Sequence, residues 1–312
     1  MANGPQHPGA IGGSGRHDAA LQQAMLALNS RRPGDAERIT GEILKRDPHH
    51  AGALFMLGCA LLAQGHAEAA IAPLETAARG RRDPQMDTQL AIALRQAGRQ
   101  EDALSRLRRT VKRHPTFVPA LHELGRLLVA MGQYSEAIEA LNRAVELAPM
   151  MPELSTQLGY ALLSQRNCTD AKTIFARALE IAPASPDALY GMAKALQELG
   201  NNQAAETYFR RYLITMPGDQ NAWLSLGHCL LELGQPESGY ECFRTAARGD
   251  ARRYGKALTS LSAATRGRLW LKPSAASRFL CGERAGTPAA IASALETAGD
   301  KPPSPDRSQS GS

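Results

Sequence analysis

The chain has 312 residues, 43% hydrophobic and 21% charged, which is the balance of an ordinary folded soluble protein. Aromatics at 5% argue against an aromatic-rich all-β domain, and no stretch approaches the roughly 18 apolar residues of a membrane span. The net charge of +6 is uneven: residues 77–115 carry +6, residues 116–243 carry −6 and residues 244–284 carry +8, so two basic blocks flank an acidic middle and bias the choice of partner.

Residues 1–16 hold five Gly, two Pro and no apolar core. They read as a disordered segment and not as a secretory signal. From residue 17 one unit recurs. A small residue follows each turn at Ala36, Ala70, Ala103, Ala137, Ala171, Ala205 and Gly239, in steps of 34, 33, 34, 34, 34 and 34. A second ladder runs Leu57, Leu90, Leu124, Leu158, Met192 and Leu226, each followed by Gly or Ala. A bulky ladder runs Leu74, Leu107, Leu141, Phe175, Phe209 and Phe243. Prolines recur at 48, 115, 149, 183 and 217.

Each unit therefore predicts two amphipathic helices, A and B. In repeat four, helix A spans ALHELGRLLVAM and ends at Gly132, and helix B spans SEAIEALNRAVEL ahead of Pro149. Small residues at 125 and 137 let the pair approach, and Leu141 fills the space beside them. Neither helix buries its stripe alone, so neighbours must stack.

Repeat seven carries W-x2-L-G-x2-L as Trp223, Leu226, Gly227 and Leu230. With the ladders, this resembles a tetratricopeptide-repeat (TPR) protein over residues 17–251, in about seven repeats. The resemblance implies an all-α fold: a right-handed α-solenoid of antiparallel helix pairs closed by a C-terminal capping helix. It further implies a ligand groove lined by helix A, at positions 2, 5, 6, 9, 12 and 13 of each repeat. Position 9 reads Met25, Cys59, Ile92, Arg126, Tyr160, Lys194 and His228. With neighbouring groove positions, the partner-binding candidates are Arg95, His122, Arg126, Gln157, Tyr160, Tyr190, Lys194 and His228. Arg and Lys can pair a carboxylate, while Gln and Tyr can bond a peptide backbone. Leu21, Phe55, Cys59 and Leu62 would floor the groove in the first two repeats. Two specialisations of the family do not fit: no three successive repeats supply the Lys/Asn/Arg set of a carboxylate clamp, and position 6 carries no asparagine ladder.

After the array, residues 252–284 read as a capping helix and an apolar, basic extension, and residues 285–312 as a disordered tail. Trp270 and Phe279, with Leu269, Leu271 and Leu280, form an apolar cluster that either caps repeat seven or docks a partner.

A search for chemistry is negative. No phosphate-cradling GxxxxGK[ST] is present, HELGR at 122–126 lacks the second His of HExxH, and the cysteines at 59, 168, 229, 242 and 281 contain no CxxC. The expectation is no enzyme, no cofactor and no metal. The basic run Arg106, Arg108, Arg109, Lys112 and Arg113 on helix B of repeat three would face away from the groove and could touch an acidic surface. The absence of interleaved aromatics argues against nucleic acid. The leading reading is a cytoplasmic, non-catalytic scaffold or adaptor, of bacterial or organellar type, that binds a protein or peptide segment. The alternatives are an accessory module of a transferase, because similar blocks accompany bacterial sulfotransferases and glycosyltransferases, or an adaptor for an anionic surface.

Overall fold

Local chemistry sets where each helix starts and stops. The computed structural model describes residues 14–247 and Ala257. Its helices are α1 (Ser14–Asn29), α2 (Pro33–Arg46), α3 (Ala51–Ala63), α4 (Ala67–Ala78), α5 (Pro84–Gln96), α6 (Gln100–Arg113), α7 (Val118–Ala130) and α8 (Tyr134–Leu147), then α9 (Pro152–Ser164), α10 (Cys168–Ile181), α11 (Pro186–Glu198), α12 (Asn202–Thr215), α13 (Gln220–Glu232) and α14 (Pro236–Ala247). No strand occurs among the described residues, and the fold is the all-α fold of TPR proteins. Odd-numbered helices are the A helices and even-numbered ones the B helices.

From α3 onward the A helices begin with side-chain caps or with proline. Asp83 accepts from the N–H groups of Gln85 and Met86, and Asp219 does the same for Asn221 and Ala222. Where α7 and α9 lack such a cap, Pro119 and Pro152 stand in the first turn. Each A helix stops at one residue of positive φ, in the order Arg31, Gly65, Gly98, Gly132, Arg166, Gly200 and Gly234. The Gln133 N–H then bonds the Leu128 carbonyl at 2.9 Å, and the Asn167 N–H bonds the Leu162 carbonyl at the same distance. Arginine thus closes two of the seven turns in a conformation that favours glycine.

The described residues divide into two compact units, with the boundary between Ala148 and Pro149. In the first, α1 through α8 form four pairs: each A helix packs on its own B helix, and each B helix packs on the next A helix. The bulky ladder there is Thr40, Leu74, Leu107 and Leu141, all buried. Thr40 takes the bulky place in repeat one and turns its hydroxyl onto the Ala36 carbonyl at 2.9 Å. In the second unit, α9 through α14 form three pairs with the same order of contacts, around Phe175, Phe209 and Phe243, all fully buried. A methyl on Gly125 would stand 2.5 Å from Leu141, and one on Gly159 would stand 2.6 Å from Phe175. The small ladder is therefore a steric requirement at these crossings.

Apart from Ala257, the expected capping helix and extension (252–284), the tail (285–312) and the cluster at Trp270 and Phe279 lie outside the described residues. Helix α1 begins at Ser14, and the last described helix ends at Ala247.

Candidate partner-binding site

The candidate residues fall in both units, and each unit arranges its own. In the first unit, α5 carries Arg95 and α7 carries His122, Glu123 and Arg126. Glu123 is 4% exposed. Its Oε1 accepts from Arg95 Nε, and its Oε2 lies 3.3 Å from a terminal nitrogen of Arg126. Burying a carboxylate is costly unless it is paired, and two guanidinium groups meet that demand here. Sequence reasoning treated Arg95 and Arg126 as cations open to a ligand carboxylate, whereas both already hold Glu123. Two cues for this were present in the sequence: Glu123 and Arg126 are three apart on one helix, and Arg95 stands 28 residues before Glu123, where adjacent A helices meet. Leu21, Phe55, Cys59 and Leu62 are all half-buried.

In the second unit the A helices α9, α11 and α13 bring their candidates into mutual reach. Tyr160 on α9 donates its hydroxyl to the Asp187 carbonyl at 2.8 Å, in the first turn of α11. Its ring meets Phe175 edge-on, with centroids 5.2 Å apart. Tyr190 packs against Phe209 and Tyr212, at 5.9 and 5.1 Å, and bonds the Ser225 side chain of α13. Lys194 donates to Gln197 Oε1 at 2.8 Å, and Gln197 donates onward to the Ser225 carbonyl at 3.3 Å. His228 stands edge-on to Phe243, with centroids 5.2 Å apart and planes at 89°. Gln157, Tyr160, Tyr190, Lys194 and His228 are all half-buried.

The Phe ladder explains this aromatic character. A Phe at the bulky position presents a ring beneath the A-helix surface, and Tyr160, Tyr190 and His228 set their own rings against it. Phe175 reaches furthest: its ring lies against Gly159 on α9 and Gly191 on α11, where a methyl group on either glycine would collide with it. Sequence reasoning found the ladder but missed the role of Gly191, whose signal was a glycine at a groove position.

Protonation states follow from burial. Burial and, second, the charge of Lys194 hold His228 below its ordinary value of 6.5, against a smaller opposing pull from Glu232. His228 is therefore neutral at pH 7, one ring nitrogen donating and the other accepting. Burial raises the Tyr160 and Tyr190 hydroxyls, so both remain protonated donors. Burial also pushes the Cys59 thiol up to about 11 and those of Cys229 and Cys242 to about 12, leaving them without thiolate character at neutral pH. Among the described residues, no group of three or more His, Cys, Asp or Glu gathers in a metal-binding arrangement, and no helix is long and apolar enough to cross a membrane.

The repeat length, the helix pairs and the positive-φ turns define a stacked helical-repeat protein. Tetratricopeptide-repeat family models match residues 21–87, 122–189 and 190–249, and a second such model matches residues 88–116. The chain belongs to the tetratricopeptide-repeat family. No curated protein sequence matches it significantly. Among solved structures it is similar to a tetratricopeptide repeat protein from Parabacteroides merdae, with 17% identity over 78% of this chain and 98% of that one, and a TM-score of 0.57. It is also similar to pilF of Pseudomonas aeruginosa, with 19% identity over 66% and 95% of the two chains and a TM-score of 0.58. A third structure is YrrB, a TPR protein with an unusual peptide-binding site, at 19% identity over 60% and 97% and a TM-score of 0.51. At these identities the likeness concerns the fold. Proteins of this family generally mediate protein–protein interaction, and the fold is typically a non-catalytic scaffold.

Proposed function

We propose that the protein is a non-catalytic adaptor that holds an extended partner segment against its A helices, with the α9, α11 and α13 face of the second unit as the principal site. Lys194 pairs a carboxylate of the partner. Gln157, Tyr160 and Tyr190 bond or pack against its backbone and side chains, and neutral His228 supplies one donor and one acceptor. The first-unit candidates Arg95, His122 and Arg126 form a separate patch, whose two arginines are already engaged by Glu123 and share a net charge of +1.

The observation that carries this reading is the state of Lys194. Its ammonium rests on the Gln197 amide, and no carboxylate pairs with it among the described residues. It is a cation held in place by a neutral group, one turn along α11 from Tyr190. The test is a photo-crosslinking residue placed at Gln157, with one at Glu237 on α14 as the control. The reading expects crosslinked partner peptides from position 157 in excess of those from 237. Equal yields at both positions would overturn it.

A further inference from the structure

A second feature lies in the first unit, on repeats two and three. A cavity of about 180 Å3 opens between the end of α4, α5 and α6. Its walls carry four arginines, Arg81, Arg106, Arg109 and Arg113, and one carboxylate, Asp87, with Thr110 at the back. Asp87 is 7% exposed, and it organises half of the cations. Its Oδ1 accepts from Arg106 at 2.7 Å, and its Oδ2 lies 3.8 Å from Arg113. Arg81 and Arg109 pair with no carboxylate among the described residues, and Arg109 Nε reaches only the Ser105 carbonyl at 3.3 Å. The cavity thus keeps a formal charge of +3 on its walls, within the block of residues 77–115 that is itself +6.

The bland account of these arginines is a solvated helix face, aided by the C-terminal carbonyls of α6, which favour cations. That account explains Lys112 and Arg113. It does not explain why guanidinium groups from α6 and from the loop after α4 converge on one concavity, or why a buried aspartate fixes two of them there. Like charges brought together around a cavity repel, and an anion in that cavity removes the penalty. Guanidinium groups are also the donors whose fork geometry matches a tetrahedral oxyanion.

We propose that this cavity is a binding site for a phosphate-class oxyanion, held by Arg81, Arg106, Arg109 and Arg113 and positioned by Asp87 through Arg106. The size selects the ligand: pockets that enclose a drug-sized molecule run to about 300–1,000 Å3, so this one takes a single phosphoryl-sized group and not a nucleotide. The charge selects it too, since a dianion balances +3 better than a carboxylate does. Two sources share this chemistry, the free inorganic ion and a phosphate monoester whose organic part remains outside the cavity. The site is independent of the peptide-binding face, and its failure would leave that proposal untouched.

The test is calorimetric titration of the full chain with inorganic phosphate at constant ionic strength, with acetate as the monovalent control. Saturable one-to-one binding is expected for phosphate and much weaker binding for acetate. The Arg81→Gln/Arg109→Gln double variant is expected to bind phosphate about tenfold or more weakly, with unchanged helical content. The Arg38→Gln/Lys172→Gln variant lowers the net charge equally at exposed positions elsewhere and should bind as wild type does. Titration with phenyl phosphate separates the sources: affinity equal to that of phosphate assigns the site to a monoester, and loss of affinity assigns it to the free ion. Absence of saturable phosphate binding, equal binding of acetate, or equal weakening by both double variants would overturn the proposal.

Discussion

The two units use one repeat to build two different surfaces. In the first, repeats three and four place leucines at the bulky position, and Arg95, Glu123 and Arg126 form a charged cluster in which Glu123 engages both arginines and cancels one of their two charges. In the second, phenylalanines replace the leucines, and Tyr160, Tyr190 and His228 set their rings edge-on against them, with Lys194 one turn along α11 from Tyr190. The contrast shows that the buried ladder shapes the exposed face: a ring underneath favours a ring above, and a leucine leaves the surface to be organised by charge.

The largest expected effect tests that coupling directly. Phe175→Ala should cost about 3–5 kcal/mol, because the lost ring packs on helices α9 and α11 at once. Leu141→Ala in the first unit should cost about 2–5 kcal/mol, with its damage confined to that unit. Urea unfolding together with hydrogen exchange read helix by helix would locate each loss. If both substitutions loosened both units equally, the two-unit description would fail.

Next in size is Gly191→Ala, which drives a methyl group into the Phe175 ring and should cost about 1–3 kcal/mol. Phe175→Leu in the same chain should recover part of that loss, since leucine is what the first unit uses. No recovery in the urea midpoint would mean that the ring is not the obstacle. Glu123→Gln should cost about 1–2 kcal/mol, well below a fully buried pair, because solvent screens Arg126, whose side chain is 44% exposed. Thermal melts at low and high salt provide the check, with the loss expected to shrink as salt rises.

Smaller gains belong to the turns. Arg31 in the first unit and Arg166 in the second hold φ values of 55° and 68°. Arg31→Gly and Arg166→Gly should each stabilise by roughly 0.5–1 kcal/mol, read as a raised urea midpoint. The gain should be smaller at Arg166, which gives up an exposed pair with Glu198 at 3.1 Å.

The smallest effect is the pH dependence of His228. The unfolded chain protonates this ring near 6.5 and the folded chain at a lower pH, so its contribution to stability is complete above 6.5 and is lost as pH falls through the folded value. Burial and Lys194 set that difference, with Glu232 opposing. A His228→Gln variant should show a flatter stability curve between pH 7 and 5, measured by urea titration at each pH. A curve parallel to wild type would assign no such role to the ring.

Much of this architecture was legible in the residues. Fixed steps of 33 or 34, small residues at 125 and 137 and glycine at 132 define helix pairs without reference to any structure, because each is a steric or capping requirement. Partnerships between repeats were less legible. Glu123 meets Arg95 and Gln197 meets Ser225 across 28 residues, a spacing that follows only once adjacent A helices lie side by side. The basic run on α6 read as a uniform face, yet Asp87 gathers Arg106 and Arg113 into the wall of a cavity while Arg108 turns to Glu136 at 2.7 Å. Sequence shows how many charges a helix carries, and packing decides which of them remain to act.

Partner capture with Lys194→Ala set beside Arg126→Ala tests the central claim most directly. Quantified against wild type, the lysine variant should lose most of the bound partner, and the arginine variant, whose charge already serves Glu123, should keep most of it. Full capture by Lys194→Ala in a chain of unchanged helical content would contradict the account.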